Sequence, residues 1–253
     1  MKVSYSRIET YKQCKYQYYL RYIEGLKTKF DLDPENALVL GTALHTGIEK
    51  DVVAAIRQYY SNYPTINELH ILEALKLEHL IPKAKAMLPE GVYEERIDDD
   101  SFIGFMDLLV DVGDNYYDLY DFKYSNNKKN YLEKGQLHVY KYQFEQLNPS
   151  KRIRDMYFVF VPKIKKKRNE DIDEFKERLL KELKTANIDI VKVEYNEDKV
   201  IEFWTNAQEC VNCTEFDKNP TRLCQWCNFK RYCESNGKND SNIIYPEEIK
   251  KED

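Results

Sequence analysis

Two aspartates and a lysine in consecutive apolar runs could form a hydrolytic metal site. Asp107 lies in Gly104–Val112, and Asp121 and Lys123 lie in Tyr116–Lys123. The Gly-Asp-Asn tripeptide between the runs predicts a tight turn and therefore a β-hairpin. Because side chains alternate across a strand, Asp121 and Lys123 share one face, and pairing can bring Asp107 beside them. Carboxylates suit Mg²⁺, and the lysine could orient or help deprotonate a water, or stabilise charge in the transition state.

Two further motifs flank this hairpin. Gly41-Thr-Ala-Leu-His45 precedes it, and Gln136-Leu-His-Val-Tyr140 follows it. Gln136 and Tyr140 are four residues apart and share one face of a predicted helix. Each feature alone has an ordinary explanation: a packed or solvated histidine, a polar helix surface with one buried tyrosine, or a lysine that only pairs with Asp121. Their joint occurrence in this order is far more specific than any one motif.

Gly-x-x-Asp followed by Asp-x-Lys resembles the PD-(D/E)xK nuclease superfamily, and the flanking motifs resemble its RecB-like branch. The resemblance runs from about Ser4 to Cys233. It implies a site for Mg²⁺ or Mn²⁺, and an imidazole ligand fits Mn²⁺ better. The implied catalytic residues are Asp107, Asp121 and Lys123; the metal ligands are His45, Asp107, Asp121 and the Phe122 carbonyl; the DNA-facing residues are Gln136 and Tyr140. We interpret Glu95 as an ordinary solvated glutamate rather than a further acidic ligand.

Six cysteines in a chain expected to stay in a reducing compartment favour metal ligands or buried thiols over disulfides. One early cysteine and a late triplet resemble the 4Fe-4S staple of RecB-like nucleases, which would join the first helix to the last. The implied cluster ligands are Cys14, Cys224, Cys227 and Cys233. A zinc site is the alternative, because two CxxC pairs could bind one ion tetrahedrally. The zinc ligands would be Cys210, Cys213, Cys224 and Cys227. We favour iron–sulfur, because zinc leaves Cys14 and Cys233 without a role.

Composition describes a soluble, helix-rich protein without a polycationic signature. The 253 residues are 33% charged, with a net charge of −5. The sequence shows no apolar signal core and no run near the ~20 apolar residues that span a bilayer, so we expect a cytoplasmic protein with no membrane contact. Nucleic-acid contacts must come from local basic stretches, of which Lys128–Lys129 and Lys163–Arg168 are the best candidates. Charge runs of this kind are often only solvated loops.

The order of elements predicts an α/β fold, with a small central mixed β-sheet flanked by helices. The resemblance implies a restriction-endonuclease-like core, with a helical part closed by the cysteine cluster. We expect one domain over 1–235, its core at about 92–195, and a mobile tail over 236–253. Besides the hairpin, the patterns predict helices over 6–23 with Cys14 on the helix, 36–61, 67–88, 131–147, 170–186 and 197–215, and strands over 156–161 and 189–195.

The resemblance predicts a metal-dependent DNA exonuclease acting in recombination, repair or replication of a bacterial or phage genome. Its mechanism would be in-line attack of an activated water on a phosphodiester. The alternatives are a structure-selective or nicking endonuclease, or an inactive DNA-binding or partner-docking module. Intact Asp107, Asp121 and Lys123 argue against the inactive module. The sequence contains no helicase motif, so a helicase or recombination partner would be a separate protein.

Overall fold

The structure is a computed structural model that describes residues 2–249. Residues 250–253, the end of the predicted mobile tail, lie outside the described residues. In chain order the elements are α1 (Tyr5–Gln13), α2 (Lys15–Tyr18), a π-helical turn (Tyr19–Ile23), β1 (Lys27–Thr28), α3 (Ala37–Glu49), α4 (Val52–Tyr60), α5 (Glu68–Ala86), β2 (Val92–Asp98), β3 (Ile103–Gly113), β4 (Tyr116–Tyr124), α6 (Lys128–Leu132), α7 (Gln136–Leu147), β5 (Arg152–Val161), α8 (Ile172–Thr185), β6 (Asp189–Val193), α9 (Glu197–Asn212), a 3₁₀ helix (Arg222–Trp226), α10 (Lys230–Glu234), β7 (Ile243–Ile244) and α11 (Pro246–Ile249). No helix among the described residues has both the length and the apolar character needed to cross a membrane.

The chain divides into two compact units. One unit comprises the two ends of the chain, up to Asp31 and from Asp198, together with Asp98–Gly104. The other comprises Leu32–Ile97 and Phe105–Glu197. We call them the terminal unit and the sheet unit. The expectation of a single domain over 1–235 stays a prediction.

A five-stranded sheet in the order β2-β3-β4-β5-β6 forms the centre of the fold. The β3–β4 and β5–β6 pairs are antiparallel, whereas β4–β5 is parallel. Helices α6 and α7 connect the parallel strands, as a parallel pair requires. The predicted α/β fold, with a mixed sheet flanked by helices, is confirmed.

One face of the sheet packs on helices α3, α4, α5 and α8. Phe122 and Val159 are among the buried strand residues, and Leu44 and Leu77 are among the buried helix residues. Because strand side chains alternate, the neighbours of Phe122 along β4, Asp121 and Lys123, point to the opposite face. The core therefore anchors β4 while leaving the Asp-x-Lys pair directed toward α6 and α7.

The predicted hairpin is present as β3 and β4. Its two-residue turn, Asp114-Asn115, has positive φ at both residues (52° and 62°), as a type I′ turn requires. The paired register runs from the turn to Leu108 and Tyr120. Asp107 and Asp121 come one residue beyond this last pair, at the end of the hairpin opposite the turn.

Two predicted helices are interrupted at capping residues. Cys14 does not lie within a helix as predicted: its backbone is extended (φ −162°), it ends α1, and its Sγ accepts the Gln17 N–H at the start of α2. The predicted helix over 36–61 is two helices, because Asp51 is extended (φ −160°) and its side chain caps α4 by accepting the Ala54 N–H. In both cases a side-chain acceptor starts a new helix where the hydrophobic periodicity continues.

In the terminal unit, part of the predicted mobile tail has regular structure. Ile243–Ile244 form β7, which pairs antiparallel with β1. Ile243 is buried in a small cluster with Leu20, Leu26 and Phe229. Burial of Ile243 and pairing with β1 explain why part of this polar-rich segment has regular structure.

Candidate active site

The site begins where β3 and β4 cease to pair. Beyond Tyr120, the main chain of Phe122 is bonded to side chains: its N–H donates to Asp107 Oδ2 at 2.6 Å, and its carbonyl oxygen lies 3.1 Å from Nε2 of His45. His45 extends from α3, and its ring contacts the Phe122 ring edge-on. Separation of the strands thus places an aspartate, a histidine and a backbone carbonyl around one point.

Asp121 and Lys123 lie together beside this point. Lys123 Nζ is 2.5 Å from Asp121 Oδ2. Asp121 is only 1% exposed; its Oδ2 is paired with Lys123, and its Oδ1 has no hydrogen-bond partner among the described residues. A buried carboxylate without hydrogen bonds is costly unless a cation compensates for it. Lys123 supplies one positive charge, and the free lone pairs can accept a second cation.

Three ligand-type side chains form a compact group next to this pair. Ligand atoms of His45, Glu94 and Asp107 all lie within 4.8 Å of one another. His45 Nδ1 is 3.6 Å from Asp107 Oδ1 and 3.8 Å from Glu94 Oε1. Glu94 was not identified from the sequence, which drew attention to its neighbour Glu95. Glu94 has a positive φ of 52°, a backbone conformation that the alternation of a strand does not predict.

The charges at this site perturb one another strongly. Burial, followed by the nearby charge of Asp121, raises the pKa of Asp107 to about 7. Burial opposes protonation of His45, but the negative Asp107, Glu94 and Asp121 outweigh it and raise its pKa to about 9. Excess negative charge is therefore compensated by bound protons. A divalent cation at the same place would compensate for it directly and displace those protons.

Lys123 stays cationic in this environment. Burial opposes its charge, but Asp121 and Asp107 outweigh burial and raise the pKa of the ammonium group. Nζ also donates to Gln136 Oε1 at 3.2 Å, and Gln136 Nε2 donates to the Tyr140 hydroxyl at 3.3 Å. Tyr140 is 8% exposed, and burial raises its pKa to about 12, so its hydroxyl stays protonated. Gln136 and Tyr140 thus form a hydrogen-bonded chain that ends at Lys123.

The donor set fits a hard divalent ion. Carboxylates of Asp107, Asp121 and Glu94, the Phe122 carbonyl and the His45 imidazole all approach one region of the sheet unit. Mg²⁺ and Mn²⁺ prefer such oxygen-rich sites, and a neutral imidazole is compatible with Mn²⁺. When bound, such an ion would supply Lewis-acid chemistry.

The terminal unit contains a separate cavity of about 460 Å³ lined by cysteines. The cavity is lined by residues of α2, the 3₁₀ helix and α10 and by residues that immediately precede these helices. Its cysteines are Cys14, Cys224, Cys227 and Cys233. Backbone N–H groups approach two of these sulfurs: Gln17 N lies 3.5 Å from Cys14 Sγ, and Thr221 N lies 3.4 Å from Cys224 Sγ. Burial, together with the neighbouring thiols, raises the pKa of Cys227.

Cys210 and Cys213 are not among the cavity-lining residues. Cys210 is buried in α9, and Cys213 Sγ donates to the Glu215 carbonyl at 3.0 Å. The two CxxC pairs of the zinc alternative therefore do not face one common cavity. Lys218 instead borders the four-cysteine cavity, where its Nζ donates to the Cys233 carbonyl at 2.7 Å.

Comparison with known proteins finds one matching family model and a similar solved structure. A protein described as a "putative exonuclease", from Eubacterium rectale, has a similar solved structure: TM-score 0.50, 11% identity, covering 89% of this chain and 92% of that one. At this identity the likeness shows a shared fold. No curated protein matches significantly. The model of the PD-(D/E)XK nuclease superfamily matches residues 2–234. Because that match spans nearly the whole chain, including the hairpin and the split strands around Phe122, the chain belongs to the PD-(D/E)XK nuclease superfamily.

Proposed function

We propose that this protein is a Mg²⁺- or Mn²⁺-dependent deoxyribonuclease whose active site is the Asp107–Asp121–Lys123 group. The observation that carries the proposal is the buried carboxylate of Asp121, whose Oδ1 has no hydrogen-bond partner among the described residues, beside the group of His45, Glu94 and Asp107. A buried acceptor without a partner is costly, and a bound cation would remove that cost. The metal ligands would be Asp107, Asp121, His45 and the Phe122 carbonyl, with Glu94 as an additional acidic ligand.

In this proposal Lys123 acts as a cation. An ammonium group held by Asp121 and Gln136 can stabilise the negative charge that develops on a phosphoryl group in the transition state. Gln136 would fix its direction, since the amide accepts from Nζ on one side and donates to Tyr140 on the other. Gln136 would therefore serve Lys123 as well as the DNA contact that the resemblance implies.

We further propose exonuclease activity, in recombination, repair or replication of a bacterial or phage genome, alongside a separate helicase or recombination partner. The resemblance and the description of the Eubacterium rectale protein support exonuclease rather than endonuclease activity. The test is incubation of the purified protein with end-labelled linear and covalently closed circular DNA, with Mg²⁺ or Mn²⁺. We expect linear DNA to be degraded from its ends and circular DNA to survive. Cleavage of circles would assign an endonuclease, and no cleavage of any DNA would contradict the nuclease proposal.

We also propose that the four-cysteine cavity holds a structural 4Fe-4S cluster. Four thiols around about 460 Å³ fit a cluster with one cysteine on each iron. Sulfur ligands of one tetrahedral zinc lie about 3.8 Å apart, given Zn–S bonds of ~2.3 Å. Among the described residues, no three cysteine sulfurs lie within 4.8 Å of one another. The thiols are therefore spaced more widely than the ligands of one zinc ion. The N–H groups of Gln17 and Thr221 would stabilise ligating thiolates.

A further inference from the structure

The segment Lys163–Arg168 in the sheet unit, which we call the basic strap, has cationic side chains at five of its six residues. It follows β5, which runs parallel to β4 with Lys123 opposite Phe160. Lys163 follows Phe160 by three residues, so at about 3.3 Å per residue the strap starts ~10 Å farther along the strand direction than Lys123. The Asn126 side chain joins the loop after β4 to the strap: it donates to the Lys163 carbonyl at 2.7 Å and accepts the Lys163 N–H at 2.8 Å.

The strap is held in one shape although it has no regular secondary structure. Its one apolar side chain, Ile164, is buried in the core. Arg178 of α8 donates to the Lys165 carbonyl at 2.8 Å and forms two bonds to the Glu170 carboxylate, at 2.6 and 2.8 Å. Glu170 in turn accepts the Lys167 N–H at 2.9 Å. This network fixes the backbone, so cations on the strap are presented at little cost in conformational entropy.

The charges on the strap are unequally compensated. Lys165 lies 3.9 Å from Glu35, and Lys166 donates to the Glu170 carbonyl. Lys166, Lys167 and Arg168 line a cleft together with the acidic residues Asp33, Glu35 and Glu73. Within residues 2–249, the exposed side chains of Lys167 and Arg168 have neither a hydrogen-bond partner nor an ion-pair partner. These two cations are available to an external anion.

The other basic stretch differs in this respect. Lys128 Nζ is 2.5 Å from Asp189, and Lys129 Nζ is 3.7 Å from Glu133. Both ammonium groups thus have carboxylate partners within the protein. Of the two stretches that the sequence could not rank, only the strap combines a fixed backbone with exposed cations that have no ion-pair partner among the described residues.

We infer that the basic strap binds the phosphodiester backbone of DNA through Lys167 and Arg168 and positions the strand that the Asp107–Asp121–Lys123 site cuts. The inference rests on the proposed function. A protein of net charge −5 must concentrate positive potential locally to hold DNA. Phosphate contacts of this kind fix register without reading sequence. Both the strap and Lys123 lie toward the carboxyl ends of the parallel strands β5 and β4.

The test compares DNA affinity across a salt series in an Asp121→Asn background, which prevents cleavage. The strap variant is Lys167→Ala/Arg168→Ala. Its matched control is Lys181→Ala/Lys184→Ala, which removes two exposed lysines from α8 of the same unit. A charge-keeping swap, Lys167→Arg/Arg168→Lys, is the second control. Fluorescence anisotropy with short labelled single-stranded and duplex DNA, between about 50 and 200 mM salt, gives the slope of log affinity against log salt.

We expect the strap variant to bind DNA at least about tenfold more weakly near 0.1 M salt. The slope of log affinity against log salt should become shallower by about two, one for each phosphate that no longer contacts a cation. Both controls should keep the parental slope. If the strap variant matches the α8 control while the parent binds DNA, the strap inference is wrong and the nuclease proposal stands. If the wild-type protein neither binds nor cleaves DNA, the proposed function fails and the strap inference fails with it.

Discussion

Replacement of Asp107 by asparagine should stabilise the metal-free protein while removing its activity. Asp107 is 8% exposed, lies beside the negatively charged Asp121, and accepts the Phe122 N–H. An amide oxygen can still accept that hydrogen bond, whereas the buried negative charge disappears. Asp118 on β4 provides a matched control, since it is also buried but is held by two hydrogen bonds from Arg154, at 2.6 and 3.0 Å.

The magnitude follows from the pKa of Asp107, which burial and Asp121 raise from 3.8 to about 7. A carboxyl whose pKa is raised by folding binds its proton more tightly in the folded protein, so its ionisation destabilises the fold. This penalty is absent below about pH 4, grows with pH, and is complete above about pH 7. At 1.36 kcal/mol per pH unit it reaches about 4 kcal/mol. The buried amide retains part of the desolvation cost, so we expect Asp107→Asn to gain about 2–3 kcal/mol at about pH 8.

The assay is urea unfolding in EDTA at about pH 8 and about pH 4, repeated with Mn²⁺. At the higher pH the free energy of unfolding should rise for Asp107→Asn and fall for Asp118→Asn, which weakens the two hydrogen bonds from Arg154. At the lower pH the gain for Asp107→Asn should vanish. Mn²⁺ should stabilise the wild type and not the variant, which has lost a ligand. A metal-free Asp107→Asn protein that is less stable than wild type at pH 8 would refute the electrostatic reasoning.

Three further outcomes are expected. Lys123→Ala should lower kcat by at least about 10²-fold with DNA affinity largely unchanged, whereas Gln136→Leu should cause a smaller loss of kcat. Single-turnover kinetics measures the loss of rate, and anisotropy measures DNA affinity. An active Lys123→Ala enzyme would exclude that residue from the chemistry. Mn²⁺ binding near pH 7 should release about one to two protons, because His45, with a pKa of about 9, and the protonated half of the Asp107 population must deprotonate first. In calorimetry, His45→Ala should bind Mn²⁺ at least about tenfold more weakly and release fewer protons. Unchanged binding would make His45 a packing residue. Elemental analysis of anaerobically purified protein should find about four irons per chain. The iron should be lost in Cys14→Ser and Cys233→Ser but retained in Cys213→Ser. One zinc and no iron, with Cys14→Ser behaving like wild type, would assign zinc instead.

The hairpin could be predicted from sequence because its information is local. Alternation along β4 places Asp121 and Lys123 on one face, and the Asp114-Asn115 dipeptide suits a turn with positive φ at both residues. Pairing back from that turn brings Asp107 near Asp121. The α/β class follows equally from strands that alternate with helices.

Other parts of the site depend on geometry that no local pattern records. Glu94, rather than Glu95, joins His45 because one left-handed backbone angle redirects the chain in β2. Four-residue spacing places Gln136 and Tyr140 on one face of a helix, but the bond between Gln136 and Lys123 depends on how α7 packs on β4. The periodicity predicts Cys14 within a helix, because it continues past the point where this residue caps α2.

The carbonyl and N–H of Phe122 are held by His45 and Asp107 rather than by the neighbouring strand. One amide proton in the centre of the sheet is therefore protected by a side chain that titrates. We expect its hydrogen exchange to depend on the position of the Asp107 carboxylate, whereas amides in the paired part of the hairpin should exchange when the ladder opens. The Phe122 amide would thus serve as a spectroscopic reporter of the proposed active site, readable by NMR in the absence of substrate.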